Sequence, residues 1–210
     1  MRSPRCVIYR RLPDASGLCY LTFDDGPDLT WTPRVLESLA LAGVRATFFV
    51  LGNLAGAGAS VLREARAAGH TVGSHGFSHR HPWALTPAQA RAQVRNGADA
   101  IAQVLGTPPE WFRPPHGRLG PFLREAVREA GQRIELWSVS AVDWGPLATP
   151  HGIYNRLRLI RTGDIVLMHD GPLRHNRPDM MLRVLPALLA ALASHGPTPA
   201  GLPPLATMHG

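Results

Sequence analysis

The feature that most limits what this chain can fold into is an alternation that runs from about residue 18 to residue 195. Short apolar runs of strand length trade places with longer amphipathic stretches. The runs Cys19–Phe23, Ala46–Leu51, Thr71–Ser74, Trp111–Arg113, Ile134–Val139 and Asp164–Met168 combine branched, aromatic and small apolar residues, and each is predicted as a strand. Helices are predicted between them: from Thr32-Pro33 to Gly43, Ser60–Ala68 closed by Gly69, a long one opened by Thr86-Pro87-Ala88-Gln89 and ended by Gly106, then Pro121–Ala130, Pro150–Ile160 and Asp179–Ala193. Proline sits near the starts and glycine after the ends, as helix termini demand. Six strands each followed by a helix predict a parallel sheet. A closed or partly open β/α barrel of six or seven strands and an open doubly wound sheet both fit that order. The tail after His195 is too rich in Pro and Gly to predict a strand.

At 210 residues the chain suits one domain, taken as 1–210 with its core at about 18–195. No apolar run reaches the length of a bilayer span. The arginine-bearing start lacks an apolar stretch with a cleavage site, so no signal peptide is visible and the cytoplasm is the default location. Cys6 and Cys19 have no metal-ligand spacing and are read as thiols, with a disulfide as the alternative. The formal charge is +7, and all 22 basic residues are arginine. They are scattered over predicted helices (Arg63, Arg66, Arg91, Arg95, Arg124, Arg128), which reads as solvated helix faces rather than a nucleic-acid surface.

Function is signalled by where the polar residues fall. Asp24 and Asp25 end the first predicted strand, His75 follows the third, Arg113 ends the fourth, Asp143 follows the fifth and His169 follows the sixth. All lie at C-terminal strand ends, the rim on which parallel β/α folds build active sites. Adjacent residues at a strand end point in different directions, so one carboxylate of Asp24-Asp25 can bind a metal while the other serves as base; a polar turn is the plainer reading of that pair alone. His75 and His79 are four residues apart, a spacing that one turn of helix would bring to one face. Imidazole with carboxylate suits zinc and similar divalent ions. For His70, His81, His151 and His175, surface or capping roles are expected.

Five segments in order, Thr22-Phe23-Asp24-Asp25-Gly26-Pro27, Ser74-His75-Gly76-Phe77-Ser78-His79, Arg113-Pro114-Pro115-His116-Gly117, Asp143-Trp144 and Val166-Leu167-Met168-His169-Asp170, resemble the motifs of the polysaccharide deacetylases, the NodB-homology domains of carbohydrate esterase family four. The resemblance implies a distorted β/α barrel. It also implies one divalent metal ion, zinc before cobalt or another ion, on Asp25, His75 and His79. Asp24 would then be the base that takes a proton from the attacking water, held ionised by Arg113, and His169 the acid for the leaving amine, tuned by Asp143. The backbone N–H of His116 would support the oxyanion, and Trp144 and Leu167 would wall the acetyl pocket.

The implied substrate is an N-acetylated glycan of the chitin, chitooligosaccharide or peptidoglycan type, with no nucleic-acid partner; oligomeric state stays open. Two positions depart from the commoner pattern: His116 replaces an aromatic residue, usually tyrosine, and Ser140 replaces an aspartate. An O-acetyl esterase on xylan, a small-amide hydrolase and an inactive carbohydrate-binding module are the alternatives. A phosphatase is disfavoured, because that chemistry wants Asp-x-Asp after a strand.

Overall fold

A computed structural model describes residues 8–13 and 17–208. Its strands are β1 (Ile8–Tyr9), β2 (Leu18–Asp24), β3 (Thr47–Val50), β4 (Thr71–Ser74), β5 (Trp111–Phe112), β6 (Arg133–Glu135), β7 (Val139–Ser140), β8 (Ile165–His169) and β9 (Thr198–Ala200). The helices are α1 (Trp31–Leu41), α2 (Gly52–Ala55), α3 (Ala59–Ala67), α4 (Pro87–Leu105), α5 (Gly120–Glu129), α6 (Pro150–Leu157) and α7 (Pro178–His195). The strands form one sheet in the order β1-β6-β5-β4-β3-β2-β8-β7, with β9 beside the first half of β2. Every pairing between these strands is parallel. The fold is therefore a distorted β/α barrel, and the doubly wound alternative is set aside.

Three sequence expectations are corrected. The predicted strand Ile134–Val139 is interrupted: β6 pairs with β5, the chain bends through residues 136–138, and β7 pairs with β8 on the far side. One bent segment thereby joins the two ends of the curled sheet. A strand does occur in the Pro-rich tail. Pro199 is tolerated in β9 because that short strand pairs with β2 alone, so the missing N–H can face away from the ladder. Six strands become nine, since β1 and β7 are only two residues long and carry no readable alternation. Among the described residues no helix is long and apolar enough to cross a membrane. Cys6 lies outside the described residues; Cys19 is a buried free thiol, which burial pushes up to about 12.

Strand β2 shows how the sequence positions the site. Cys19, Leu21 and Phe23 face the layer between sheet and helices, where they meet Val35, Leu36 and Leu39 of α1 and Leu185, Leu188 and Leu189 of α7. The alternate residues face the barrel interior: Tyr20 packs with Phe49, Trp111, Ile165 and Leu202 at the lower end, and Thr22 and Asp24 continue upward to the rim. Each fully buried Leu, Ile or Phe in these layers contributes about 1.5–3 kcal/mol. Helix α4 starts at the predicted capping box: Thr86 Oγ1 accepts the Gln89 N–H (3.3 Å) and Gln89 Oε1 accepts the Thr86 N–H (3.0 Å). Further along α4, Gly97 lies so close to the loop after β4 that a Cβ there would sit 2.7 Å from the Gly76 carbonyl carbon.

Candidate active site

The rim gathers all ten site residues expected from the sequence. Eight of them line one cavity of about 530 Å³, in the company of Gly117, Trp137, Leu173, Arg174, His175 and Asn176, and the other two stand behind it. Asp24, Asp25, His75, His79, His116, Trp144, Leu167 and His169 form the walls. Arg113 and Asp143 are fully buried behind them.

His75 and His79 are not joined by a turn of helix, as their spacing suggested. The segment after β4 is an irregular loop in which Gly76 and His79 take left-handed backbone angles (φ 78° and 52°). Two bonds hold it: the Gly52 and Asn53 N–H groups at the start of α2 donate to the Gly76 and Phe77 carbonyls, each at 2.9 Å. Asp25 also has a positive φ of 75°. Strained backbone of this kind concentrates at functional sites.

The ligand atoms of Asp25, His75 and His79 lie within 4.8 Å of one another. Asp25 Oδ1 is 3.4 Å from His75 Nε2 and 3.3 Å from His79 Nε2, yet it is buried and accepts no hydrogen bond. His75 Nδ1 is 2.8 Å from the Arg113 carbonyl oxygen, an arrangement in which Nδ1–H donates and Nε2 keeps its lone pair. Burial pushes His75 down to about 3, so it is neutral. A buried carboxylate oxygen and two imidazole nitrogens converging in this way could hold a divalent cation.

Asp24 faces the same point from the other side, its Oδ2 3.8 Å from His75 Nε2. Its Oδ1 accepts from Arg113 Nη1 at 2.7 Å. Burial raises the Asp24 pKa and the Arg113 charge opposes that rise. Arg113 is itself clamped: Nε donates to Glu135 Oε2 (2.7 Å), Nη2 is ion-paired with the same oxygen (2.5 Å) and donates to the Leu136 carbonyl (3.5 Å), Nη1 also donates to Thr22 Oγ1 (2.7 Å), and the Phe49 ring centre lies 4.3 Å from the guanidinium carbon.

Across the cavity, Asp143 Oδ1 accepts from His169 Nδ1 (2.8 Å) and Oδ2 accepts from the His169 backbone N–H (2.8 Å). Burial alone would lower the His169 pKa; the Asp143 charge and hydrogen bond, reinforced by Asp25 and Asp24, outweigh it and hold the imidazole up to about 9. His169 is thus an imidazolium whose Nε2 faces the cavity, 4.0 Å from Asp25 Oδ2. The Trp144 ring meets it edge to face at 5.5 Å. His116 lies against His79 with ring centroids 4.4 Å apart. Ser140 Oγ accepts the N–H of Val142, whose own φ is 52°, so this departure from the family pattern shapes the turn into Asp143.

Sequence reasoning missed Glu135 and Asn176. Glu135 reads as part of an apolar run, and its signal was a carboxylate inside a strand otherwise built for burial. Asn176 donates from Nδ2 to Asp25 Oδ2 (2.7 Å) and to the Gly171 carbonyl (2.9 Å); nothing marked it in a polar loop. His175, expected on the surface, lines the cavity. His70 is buried, where it accepts the Ala46 N–H, and His81 caps the turn at Trp83.

A β/α barrel with proton-handling side chains converging on one rim cavity is arranged for acid–base chemistry on a bound molecule. The model of one family, described as polysaccharide deacetylase, matches residues 12–134. A chitooligosaccharide deacetylase of a Bradyrhizobium species is 33% identical over 204 residues, covering 92% of this chain and 93% of that protein. A peptidoglycan-N-acetylglucosamine deacetylase of Bacillus cereus is 31% identical over 170 residues, 80% of this chain but 62% of that protein's length. A family 4 carbohydrate esterase of Streptomyces lividans, solved in complex with acetate, superposes with a TM-score of 0.79 at 32% identity, covering 89% of this chain and 92% of that one. The chain belongs to the polysaccharide deacetylase family.

Proposed function

We propose that this chain removes N-acetyl groups from the amino sugars of a polysaccharide or oligosaccharide, chitinous or peptidoglycan in type. The observation that carries the reading is the pairing, within one cavity, of a carboxylate held toward the Asp25-His75-His79 cluster with an imidazolium held opposite it. A divalent ion on Asp25, His75 and His79, zinc in preference to cobalt, would supply Lewis acidity toward the acetyl carbonyl and its attacking water. Asp24 takes the proton of that water as its oxygen bonds to the acetyl carbon. Arg113 favours the ionised form of Asp24 against the effect of its burial and fixes its direction, and the His116 N–H supports the developing oxyanion. The C–N bond then breaks, and His169 Nε2 delivers a proton to the departing nitrogen, leaving acetate and a free amine. Asp143 holds that imidazole in the donating orientation. Trp144 and Leu167 form the apolar wall against which the acetyl methyl rests.

The test compares acetate release from N-acetylglucosamine oligomers, acetylated xylan and small acetamides by the zinc-loaded protein. Turnover is expected on the amino-sugar oligomers. Faster release from xylan would make it an ester hydrolase, and glycan binding without acetate would make it a binding module.

A further inference from the structure

Next to the catalytic cavity, and sharing Gly117 with it, lies a shallower groove of about 500 Å³. Its walls carry Trp83, Arg10, Arg118 and Arg124, with Leu119 and Leu136 between them. The Trp83 indole is 67% exposed, the largest aromatic side chain left in solvent among the described residues. The turn that carries it is held in place: His81 Nδ1 accepts the Trp83 backbone N–H (3.3 Å), and Gly120 of α5 packs so tightly under this turn that a Cβ there would lie 2.7 Å from the Pro82 carbonyl oxygen. The three arginines are exposed and have no carboxylate partner among the described residues, whereas Arg91 and Arg128 nearby pair with Glu129 and Glu125. Among the described residues no acidic side chain lines the groove.

An exposed indole offers a flat apolar face for a sugar ring. Unpaired guanidiniums offer forked donors that match carboxylates. Because the cavity and the groove meet at Gly117, a strand extending from the cavity in that direction would bring a neighbouring sugar to both features. We infer that the groove is a subsite for a carboxylate-bearing sugar, which directs the enzyme to acidic N-acetylated glycans, strands in which the N-acetylated residue alternates with one carrying a carboxylate ether, over neutral ones. The inference rests on the deacetylase reading and narrows its substrate class.

The experiment uses the zinc-loaded chain on three substrates of equal length: a peptidoglycan strand freed of peptides so that its lactyl carboxylates are exposed, the same strand with those carboxylates amidated, and a neutral chitooligosaccharide. kcat/KM for the free-carboxylate strand is expected to exceed that for the amidated strand about tenfold, the scale of one charge-assisted contact. The ratio should shrink with added salt and collapse toward unity in Arg118→Gln/Arg124→Gln. Equal rates on the two strands, or an unchanged ratio in the double variant, overturn the subsite. Because loss of all turnover would strike the deacetylase reading instead, calorimetric binding of both strands to Asp24→Asn provides a separate readout: tighter binding of the free-carboxylate strand supports the subsite, and equal binding refutes it. Competition by a short DNA as effective as that of the acidic strand would also refute it, reducing the groove to a general anion surface.

Discussion

Asp24 and Asp25 are neighbours in sequence with different partners: Asp24 accepts from Arg113, whereas Asp25 accepts from Asn176 and lies beside His75 and His79. Two substitutions divide their roles. Asp25→Ala is expected to abolish stoichiometric zinc by elemental analysis. Asp24→Asn should retain zinc while kcat falls about 10²–10⁴-fold, the usual worth of a positioned base. Normal turnover in Asp24→Asn would dismiss it as the base. Asn176→Ala removes the donor that orients Asp25, and competition with a chelator should show zinc affinity lower by about 10–100-fold. The carboxylates and imidazoles were legible in the sequence because they stand next to strand ends and include residue types that a rim turn does not need. Asn176 was not, because its role exists only through a contact with a residue 151 positions away.

At the level of elements, α2 and the bend between β6 and β7 were illegible for a physical reason. Both are set by tertiary hydrogen bonds rather than by local periodicity: α2 is four residues held against the loop after β4, and residues 136–138 bend because their two flanks are claimed by different neighbours. The capping box of α4, a purely local device, was readable to the residue.

Two predictions belong here. Gly97→Ala would press a methyl onto the Gly76 carbonyl, costing about 1–3 kcal/mol of stability and displacing the His75–His79 loop; a lower Tm together with weaker zinc binding is expected. The second concerns pH. Burial pushes Glu135 up to about 8, with the Asp24 charge adding to that and Arg113 opposing it. The folded chain therefore keeps a proton that the unfolded chain has already released, and this group's contribution to stability falls as pH rises from about 4.5 to about 8. Asp24 and Asp170, also raised by burial, slope the same way. Thermal unfolding of the metal-free protein across that window should show a shallower loss of Tm in Glu135→Gln than in wild type; parallel curves would dismiss a proton on Glu135.

For the whole molecule, the barrel has a chemical end and a structural end. The rim holds the charge, and the opposite end is stoppered by the segment after α7: Leu202 is buried with Tyr20, Phe49 and Trp111, its N–H donates to Thr47 Oγ1 (2.8 Å), its carbonyl accepts from Thr71 Oγ1 (2.8 Å), and Trp111 Nε1 donates to the Pro203 carbonyl (2.9 Å). The Pro-rich tail hid this function because its contacts are side chain to backbone and leave no apolar period. Leu202→Ala should lower unfolding free energy by about 2–5 kcal/mol in urea titrations while leaving zinc affinity unchanged, since the cavity it would open is at the far end from the rim.

The bent segment that joins the ends of the sheet carries Glu135 on its first half and Asp143 just beyond its second. One of these backs the arginine behind the proton acceptor, and the other backs the proton donor. The two halves of the reaction are thus anchored to a common spar, and a displacement of that spar would detune acceptance and donation together rather than one at a time.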